Sequence, residues 1–131
     1  MVDVDSVRVF VAEDQPEMRT LIARVLRQDG YEVIEASDGT ALIDSLVRSM
    51  VDDARMPDLI ITDIRMPGAS GLDVAARLRR SDWTTPIIFI TAFGDDQAHA
   101  EARRLGAVGC LDKPFDLDEL RAMVRSLHEP R

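Results

Sequence analysis

The feature that most constrains the fold is a strand-then-helix pattern that occurs five times along 131 residues. Short apolar runs alternate with longer segments whose apolar residues recur at helical spacing. The predicted strands are residues 7–12, 31–36, 59–62, 87–91 and 108–111. This alternation favours a parallel sheet whose right-handed crossover helices cover both faces. We therefore predict an α/β fold, a doubly wound five-stranded parallel sheet of order 2-1-3-4-5 in three α/β/α layers.

Local signals indicate where several helices begin and end. Pro16 suits the first turn of a helix, and the Asp-Gly pair at 29–30 suits a helix end. Asp116 and Glu119 resemble a capping box for the last helix. Helix four, roughly residues 95–105, has only alanines and one leucine to bury. We expect this helix to be among the least securely docked elements.

Composition and charge exclude several classes of protein. Hydrophobic residues make up 46% of the chain and charged residues 31%, which is typical of a folded domain. The net charge of −8 disfavours direct nucleic-acid binding and adhesion to an anionic membrane, since both need a basic surface. One cysteine allows no internal disulfide, the polar start at 1–6 is no signal peptide, and no apolar run approaches a membrane span. We expect a cytoplasmic protein.

Polar residues stand where the predicted strands end. Glu13 and Asp14 follow strand one, and Asp63 follows strand three. Thr91 ends strand four, and Lys113, the only lysine in the chain, follows strand five. Taken singly, each residue has a plain explanation as a turn, cap or strand residue. Because parallel strands share a carboxyl edge, the five together predict one site at that edge.

The chemistry of these residue types indicates what kind of ligand the site would bind. Three carboxylates in one pocket repel one another unless a cation holds them. Oxygen ligands without His or Cys favour Mg²⁺, with Mn²⁺ as a substitute. An aspartate beside such an ion can attack phosphorus, and the Thr91 hydroxyl and the Lys113 ammonium can each take a phosphoryl oxygen. The residue types are therefore chemically consistent with phosphoryl transfer at this edge of the sheet.

Together these motifs resemble the receiver domain of two-component response regulators, over nearly the whole chain. The matching motifs are Glu13-Asp14, Asp63-Ile64-Arg65-Met66-Pro67 with Gly71 beyond, Thr91-Ala92, and Lys113-Pro114-Phe115. The resemblance implies a single receiver domain over 1–131, with its core at about 7–127 and no output domain. It also implies the flavodoxin-like fold of the chemotaxis receivers.

The resemblance assigns roles within the site. Asp63 would accept a phosphoryl group from the phosphohistidine of a sensor histidine kinase or from a phosphotransfer protein. The implied metal ligands are Glu13, acting mainly through a water, Asp14, Asp63 and the Arg65 carbonyl. Thr91 and Lys113 would make the catalytic contacts to the phosphoryl group, and Lys113 would precede a cis peptide bond to Pro114.

An output mechanism is also implied by the resemblance. Thr91 would move towards the phosphate and switch the face formed by strand four, helix four and strand five. That face would bind a downstream protein target or an output domain, with the chain as a monomer or a phosphorylation-dependent homodimer. The chain would not be an enzyme, since it would catalyse only its own phosphorylation and dephosphorylation.

Two departures from the family pattern affect these expectations. Cys110 stands where the family usually carries the tyrosine or phenylalanine that reports the threonine's movement, so the resemblance does not carry the aromatic relay over to this chain. Residues 48–57 belong to a segment longer than is typical, and they extend helix two or form a longer loop. We interpret His99 as lone and exposed, Met50 as a core filler, and Trp83 as a local packing residue in the loop before strand four.

Alternatives from two other function classes stay open. A phosphatase of the haloacid dehalogenase type also uses Asp, Lys, Thr and Mg²⁺, but that family carries a second Asp two residues after the nucleophile. Here that position is Arg65. The other alternative is a phosphorylation-independent, receiver-like interaction module, which the intact acids, Thr91 and Lys113 disfavour.

Overall fold

Five parallel strands form one sheet in the order β2-β1-β3-β4-β5, in a computed structural model that describes residues 6–53 and 55–129. The strands are β1 (Arg8–Ala12), β2 (Glu32–Ala36), β3 (Leu59–Asp63), β4 (Ile87–Ala92) and β5 (Gly109–Lys113). The predicted fold class and strand order are therefore confirmed. Residues 1–5 of the polar start, and residue 54 in the predicted longer segment, lie outside the described residues.

A helix follows each strand. The helices are α1 (Pro16–Gln28), α2 (Gly39–Arg48), α3 (Gly71–Arg80), α4 (Asp96–Arg104) and α5 (Leu117–Leu127). The predicted longer segment begins as a π-helical turn, Ser49–Asp53, that continues α2. Met50 lies in this turn and is 48% exposed, so its interpretation as a core filler was wrong. Among the described residues, no helix combines the length and the apolar character that crossing a bilayer requires.

Two separate apolar clusters fill the layers on either side of the sheet. One cluster joins the sheet to α1 and α5, through residues that include Ile22 and Leu120. The other joins it to α2, α3 and α4, through residues that include Leu42, Val74 and Ala98. Every residue of β3 is buried, because a central parallel strand is covered on both faces. The three-layer arrangement places α4 and α5 on opposite faces.

Helix caps follow the sequence signals with one exception. Pro16 begins α1, and Gly30, with a φ of 100°, lies just past its end. Asp116 is the N-cap of α5, but its carboxylate accepts from the backbone of Asp118, so the predicted capping box with Glu119 was wrong. The structure has a capping box elsewhere, at α3, where Ser70 and Asp73 each bond the other's backbone N–H.

Candidate functional site

Asp63 is the last residue of β3, at the carboxyl edge of the sheet, and only 6% of it is exposed. The chain turns sharply after it, and the backbone N–H of Gly71 donates to the Ile64 carbonyl at 2.9 Å. A Cβ on Gly71 would lie 2.4 Å from the Asp63 carbonyl oxygen, so only glycine permits this close approach. The turn leaves the Asp63 carboxylate at the sheet edge.

Glu13 and Asp14 follow β1 and meet Asp63 there. One carboxylate oxygen of each of the three lies within 4.8 Å of those of the other two. Glu13 is fully buried, and one of its oxygens accepts from the backbone N–H of Gln15 at 3.1 Å. The hydrogen-bonding contact with Glu13, followed by burial, raises the pKa of Asp14 above its ordinary value. Three acids therefore share one pocket, as the strand ends predicted.

Lys113, the last residue of β5, bridges two of these acids. Its ammonium donates to Asp63 Oδ2 at 2.7 Å and lies 2.9 Å from Glu13 Oε1. Burial acts to lower the pKa of Lys113, but its contacts with the carboxylates of Asp63 and Glu13 outweigh burial and raise the pKa. The Lys113–Pro114 peptide bond is cis, as predicted. The lysine thus stays charged and neutralises part of the pocket.

Thr91 lies near the end of β4, the strand beside β3. Its side-chain hydroxyl is buried and has no hydrogen-bond partner among the described residues. A buried hydroxyl without a partner costs free energy, so such groups generally have a reason to be retained. A phosphoryl oxygen at this edge of the sheet would give the hydroxyl a partner.

The donor set of this pocket fits a hard divalent cation. Three carboxylates carry up to three negative charges, and the Lys113 ammonium offsets one of them. Glu13 Oε1 is buried and, although close to Lys113, makes no well-directed hydrogen bond. Oxygen ligands alone, with a surplus of negative charge, are what Mg²⁺ prefers. Glu13, Asp14 and Asp63 could hold the ion together with waters.

Arg65 lies in the turn after β3, and its guanidinium is directed away from the acid cluster. The side chain is 75% exposed and donates to Asp95 Oδ2 at 2.8 Å. This hydrogen bond is the largest cause that lowers the pKa of Asp95, the N-cap of α4. The metal-facing role of the Arg65 carbonyl stays a prediction. The pair joins the loop beside Asp63 to α4, a link that sequence spacing did not indicate.

A second polar contact joins α4 to β5, and the interpretation of His99 as lone and exposed was wrong. His99 Nε2 lies 2.5 Å from Asp112 Oδ1, and the Cys110 sulfur lies 3.9 Å from the same nitrogen. Burial raises the pKa of the Cys110 thiol, which is half-buried. The position that usually holds an aromatic residue is therefore packed against a histidine of α4. The contact pairs residues far apart in sequence, so no local motif signals it.

Comparison with known proteins gives a consistent result. The family model described as "Response regulator receiver domain" matches residues 9–125. The chain is 37% identical over 124 residues to the transcriptional regulatory protein TcrA of Mycobacterium tuberculosis, covering 95% of this chain and 47% of that protein. It is 30% identical over 118 residues to the sporulation initiation phosphotransferase F of Bacillus subtilis, covering 90% of each. The chain thus spans about half the length of several curated relatives.

Solved structures show the same relationship. The Francisella response regulator 1452 receiver domain superposes with a TM-score of 0.79 at 28% identity, covering 92% of this chain and 94% of that chain. The response regulator TrrA of Thermotoga maritima, solved in complex with Mg²⁺ and BeF, superposes with a TM-score of 0.74 at 32% identity. That match covers 92% of this chain and 97% of that chain.

Proposed function

Because the chain belongs to the response regulator receiver domain family, we propose that it accepts a phosphoryl group on Asp63 in a Mg²⁺-dependent reaction. The donor would be the phosphohistidine of a sensor histidine kinase or of a phosphotransfer protein. The observation that carries this proposal is the bridge from Lys113 to Asp63 and Glu13, within a three-carboxylate pocket at the sheet edge. Supporting it, the structure of the similar regulator TrrA was solved with Mg²⁺ and BeF.

The arrangement suggests how the residues would divide the reaction. Lys113 holds Asp63 Oδ2, which leaves Oδ1 as the attacking oxygen. A bond forms between this oxygen and phosphorus while the bond from phosphorus to the donor imidazole nitrogen breaks, and the imidazole leaves as the neutral base once protonated. Negative charge on the equatorial phosphoryl oxygens would be met by the Lys113 ammonium and by the unpaired Thr91 hydroxyl.

When bound, Mg²⁺ would supply positive charge for the phosphoryl oxygens and offset repulsion among the acids. The residues that would hold it are Glu13, Asp14, Asp63 and the Arg65 carbonyl. Burial of Glu13 and Asp63 keeps bulk water from solvating their carboxylates, which strengthens their attraction for a cation. We propose that no other substrate is turned over, so that the chain acts as a signalling module and not as a general phosphatase.

Output is the second part of the proposal. A new charge at Asp63 would bias β4, α4 and β5 towards a second arrangement, and a downstream target protein or output domain would read that face. This would occur in the cytoplasm, with the chain as a monomer or a phosphorylation-dependent homodimer. The competing hypothesis is a module that binds partners without being phosphorylated.

Incubation with acetyl phosphate and Mg²⁺, followed by intact-mass measurement, tests the proposal. We expect the gain of one phosphoryl group, and we expect it to be absent in Asp63→Asn and after removal of Mg²⁺ with EDTA. Asp112→Asn is a matched control, since Asp112 lies beside Lys113 but outside the acid cluster. An unmodified wild-type mass would favour the binding module, and rapid turnover of varied phosphate esters would favour a phosphatase.

A further inference from the structure

A second candidate site lies away from the acid pocket, in a groove of about 210 Å³ between two helices. Ile43, Leu46 and Val47 of α2, with Met50 of the π-helical turn, form one wall. The other wall comes from α3, and Trp83 lies in the loop that follows it. The groove is therefore mostly apolar and is open between two neighbouring helices.

Apolar exposure is concentrated at this groove. Val47 is 52% exposed, Met50 is 48% exposed, and Val51 beside them is 75% exposed. The other large exposed hydrophobic residues of the described chain are Leu21 on α1, Phe93 in the loop after β4 and Val108 in the turn before β5. Clustered exposed apolar residues mark interaction surfaces more often than scattered ones do. Two of the three, Met50 and Val51, belong to the longer segment at residues 48–57.

Trp83, the only tryptophan of the chain, is held in place by its backbone. The backbone N–H of Trp83 donates to the Leu78 carbonyl at 3.0 Å, and its backbone carbonyl accepts from the Arg79 guanidinium at 2.9 Å. The preceding residue, Asp82, has a φ of 63°, which turns the chain back towards α3. A backbone fixed in this way has little conformational entropy to lose on binding, and tryptophan is enriched among the interface residues that contribute much of the affinity.

One positive charge borders the groove. Among the described residues that line it, Arg77 is the only charged one, in a chain with a net charge of −8. Arg77 is exposed and, like Arg24 and Arg80, has no ion-pair partner among residues 6–53 and 55–129. An apolar floor beside an unpaired guanidinium fits an occupant that carries apolar side chains and one carboxylate.

We propose that this groove binds an amphipathic helix of a partner protein, with an acidic residue of that helix against Arg77. A third helix can lay its apolar ridge into the groove between two others, which is a common mode of peptide recognition. A second copy of this chain fits less well, because a two-fold interface centred on the groove would bring two Arg77 side chains together. The site would act independently of phosphorylation at Asp63.

A displayed library of helical peptides tests the proposal. The peptides have about 15 residues, enough to hold a helix, with apolar residues at i, i+3, i+4 and i+7 and flanking positions randomised. After selection on the intact chain, we expect enriched peptides to carry an acid at one flanking position and to shift the emission of Trp83. We expect Val47→Asp to weaken their binding roughly tenfold or more, as loss of a central contact does.

Two further variants make the outcome specific. Val108→Asp is the matched control, because Val108 is 46% exposed in the turn before β5, away from the groove, and this variant should bind the selected peptides as the wild type does. Selection on Arg77→Glu should replace the acid with Lys or Arg at the same peptide position. Far-UV circular dichroism and modification by acetyl phosphate show, independently of peptide binding, that each variant is folded and that the acid pocket works.

Three results would overturn the proposal. Selected peptides that bind Val47→Asp as tightly as the wild type would lie elsewhere on the surface. If the enriched peptides showed no preference for an acid, Arg77 would have no role in recognition. The same conclusion would follow if selection on Arg77→Glu still favoured an acid. Concentration-dependent dimers of the chain that Val47→Asp abolishes would identify a second copy as the occupant.

Discussion

Helices α4 and α5 cover opposite faces of the sheet, and different kinds of contact hold them there. The face of α5 buries Leu120 and Val124 completely, with further apolar residues packed around them. The face of α4 buries only Ala98 and Ala102. Full burial of one large aliphatic side chain contributes about 1.5–3 kcal/mol, whereas an alanine side chain removes far less apolar surface from water. The sequence-based expectation of a weakly docked helix four therefore agrees with this packing.

The polar contacts that dock the two helices also differ. In α5, Arg121 forms a two-pronged ion pair with the buried carboxylate of Asp29. In α4, Asp95 pairs with Arg65 from the loop beside the acid pocket, and His99 pairs with Asp112 of β5. Apolar contacts are insensitive to charge, but ion pairs respond to any new charge nearby. On the proposed function, we therefore expect a phosphoryl group at Asp63 to change the docking of α4 more than that of α5.

The largest expected effect comes from the apolar contacts of α5. Leu120→Ala should lower the free energy of unfolding by about 2–5 kcal/mol, because it removes a fully buried side chain and leaves a cavity. Ala102→Gly in α4 should cost about 1 kcal/mol, mainly through helix propensity. Urea denaturation of both variants measures the difference. Equal losses would mean that the two helices are docked alike.

A smaller effect should follow acidification, through the ion pair of α5. The hydrogen bond from Arg121 lowers the pKa of Asp29, so this carboxylate stabilises the fold at and above the ordinary aspartate pKa of about 3.9. That stabilisation is lost as the pH falls through the lowered pKa of the folded state. The stability difference between wild type and Asp29→Asn should therefore shrink on acidification below about pH 4.

Chemical denaturation across that pH range measures this difference. Asp44→Asn is a suitable control, because Asp44 is exposed on α2 and has no ion pair among the described residues. If the free energy of unfolding of the wild type exceeded that of Asp29→Asn by the same amount down to the lowest pH, the lowered pKa would not belong to Asp29.

Phosphorylation should affect α4 and α5 differently without unfolding either helix. A phosphate mimic with Mg²⁺ should shift the amide resonances of β4, α4 and β5 more than those of α2 or α5. The expected coupling is about 1–3 kcal/mol, which is ordinary for a switch and enough to move a weakly docked helix. Two-dimensional NMR of the labelled chain reports each amide. Shifts confined to the acid pocket, or equal in α4 and α5, would refute the comparison.

The smallest effect on overall stability should come from the contact between α4 and β5. His99→Ala should change the free energy of unfolding by less than about 1 kcal/mol, because partly exposed polar contacts contribute little. Hydrogen exchange in α4 should nevertheless accelerate, while exchange in α5 stays unchanged. His128→Ala, which alters the only other histidine, is the control. Unchanged exchange in α4 would show that this contact does not hold the helix.

Local signals predicted more of the fold than of the contacts between elements. The five strands, the order of the sheet and the gathering of Glu13, Asp14, Asp63 and Lys113 at one edge could all be predicted, because strand pattern and parallel topology place strand ends together. The capping box of the last helix was wrongly predicted, since a pattern of residue types does not decide which backbone group a carboxylate bonds.

Side-chain partners across elements could not be predicted. The pairs Arg65–Asp95 and His99–Asp112 join residues 30 and 13 positions apart, and their geometry depends on how α4 is set against the sheet. Met50 matched the helical spacing of a core residue, yet the π-helical turn that contains it changes the spacing and leaves it exposed. A change of helical type alters which face a residue occupies.

By itself, the sequence determined the fold class, the family and the chemistry gathered at the carboxyl edge of the sheet. These follow from apolar periodicity and from residue types at strand ends, which are properties of neighbouring residues. Tertiary structure alone decided that polar contacts join α4 to its neighbours, that the Thr91 hydroxyl is buried without a partner among the described residues, and that an apolar groove opens beside Arg77. The physical reason is that burial and pairing depend on the packing of distant elements.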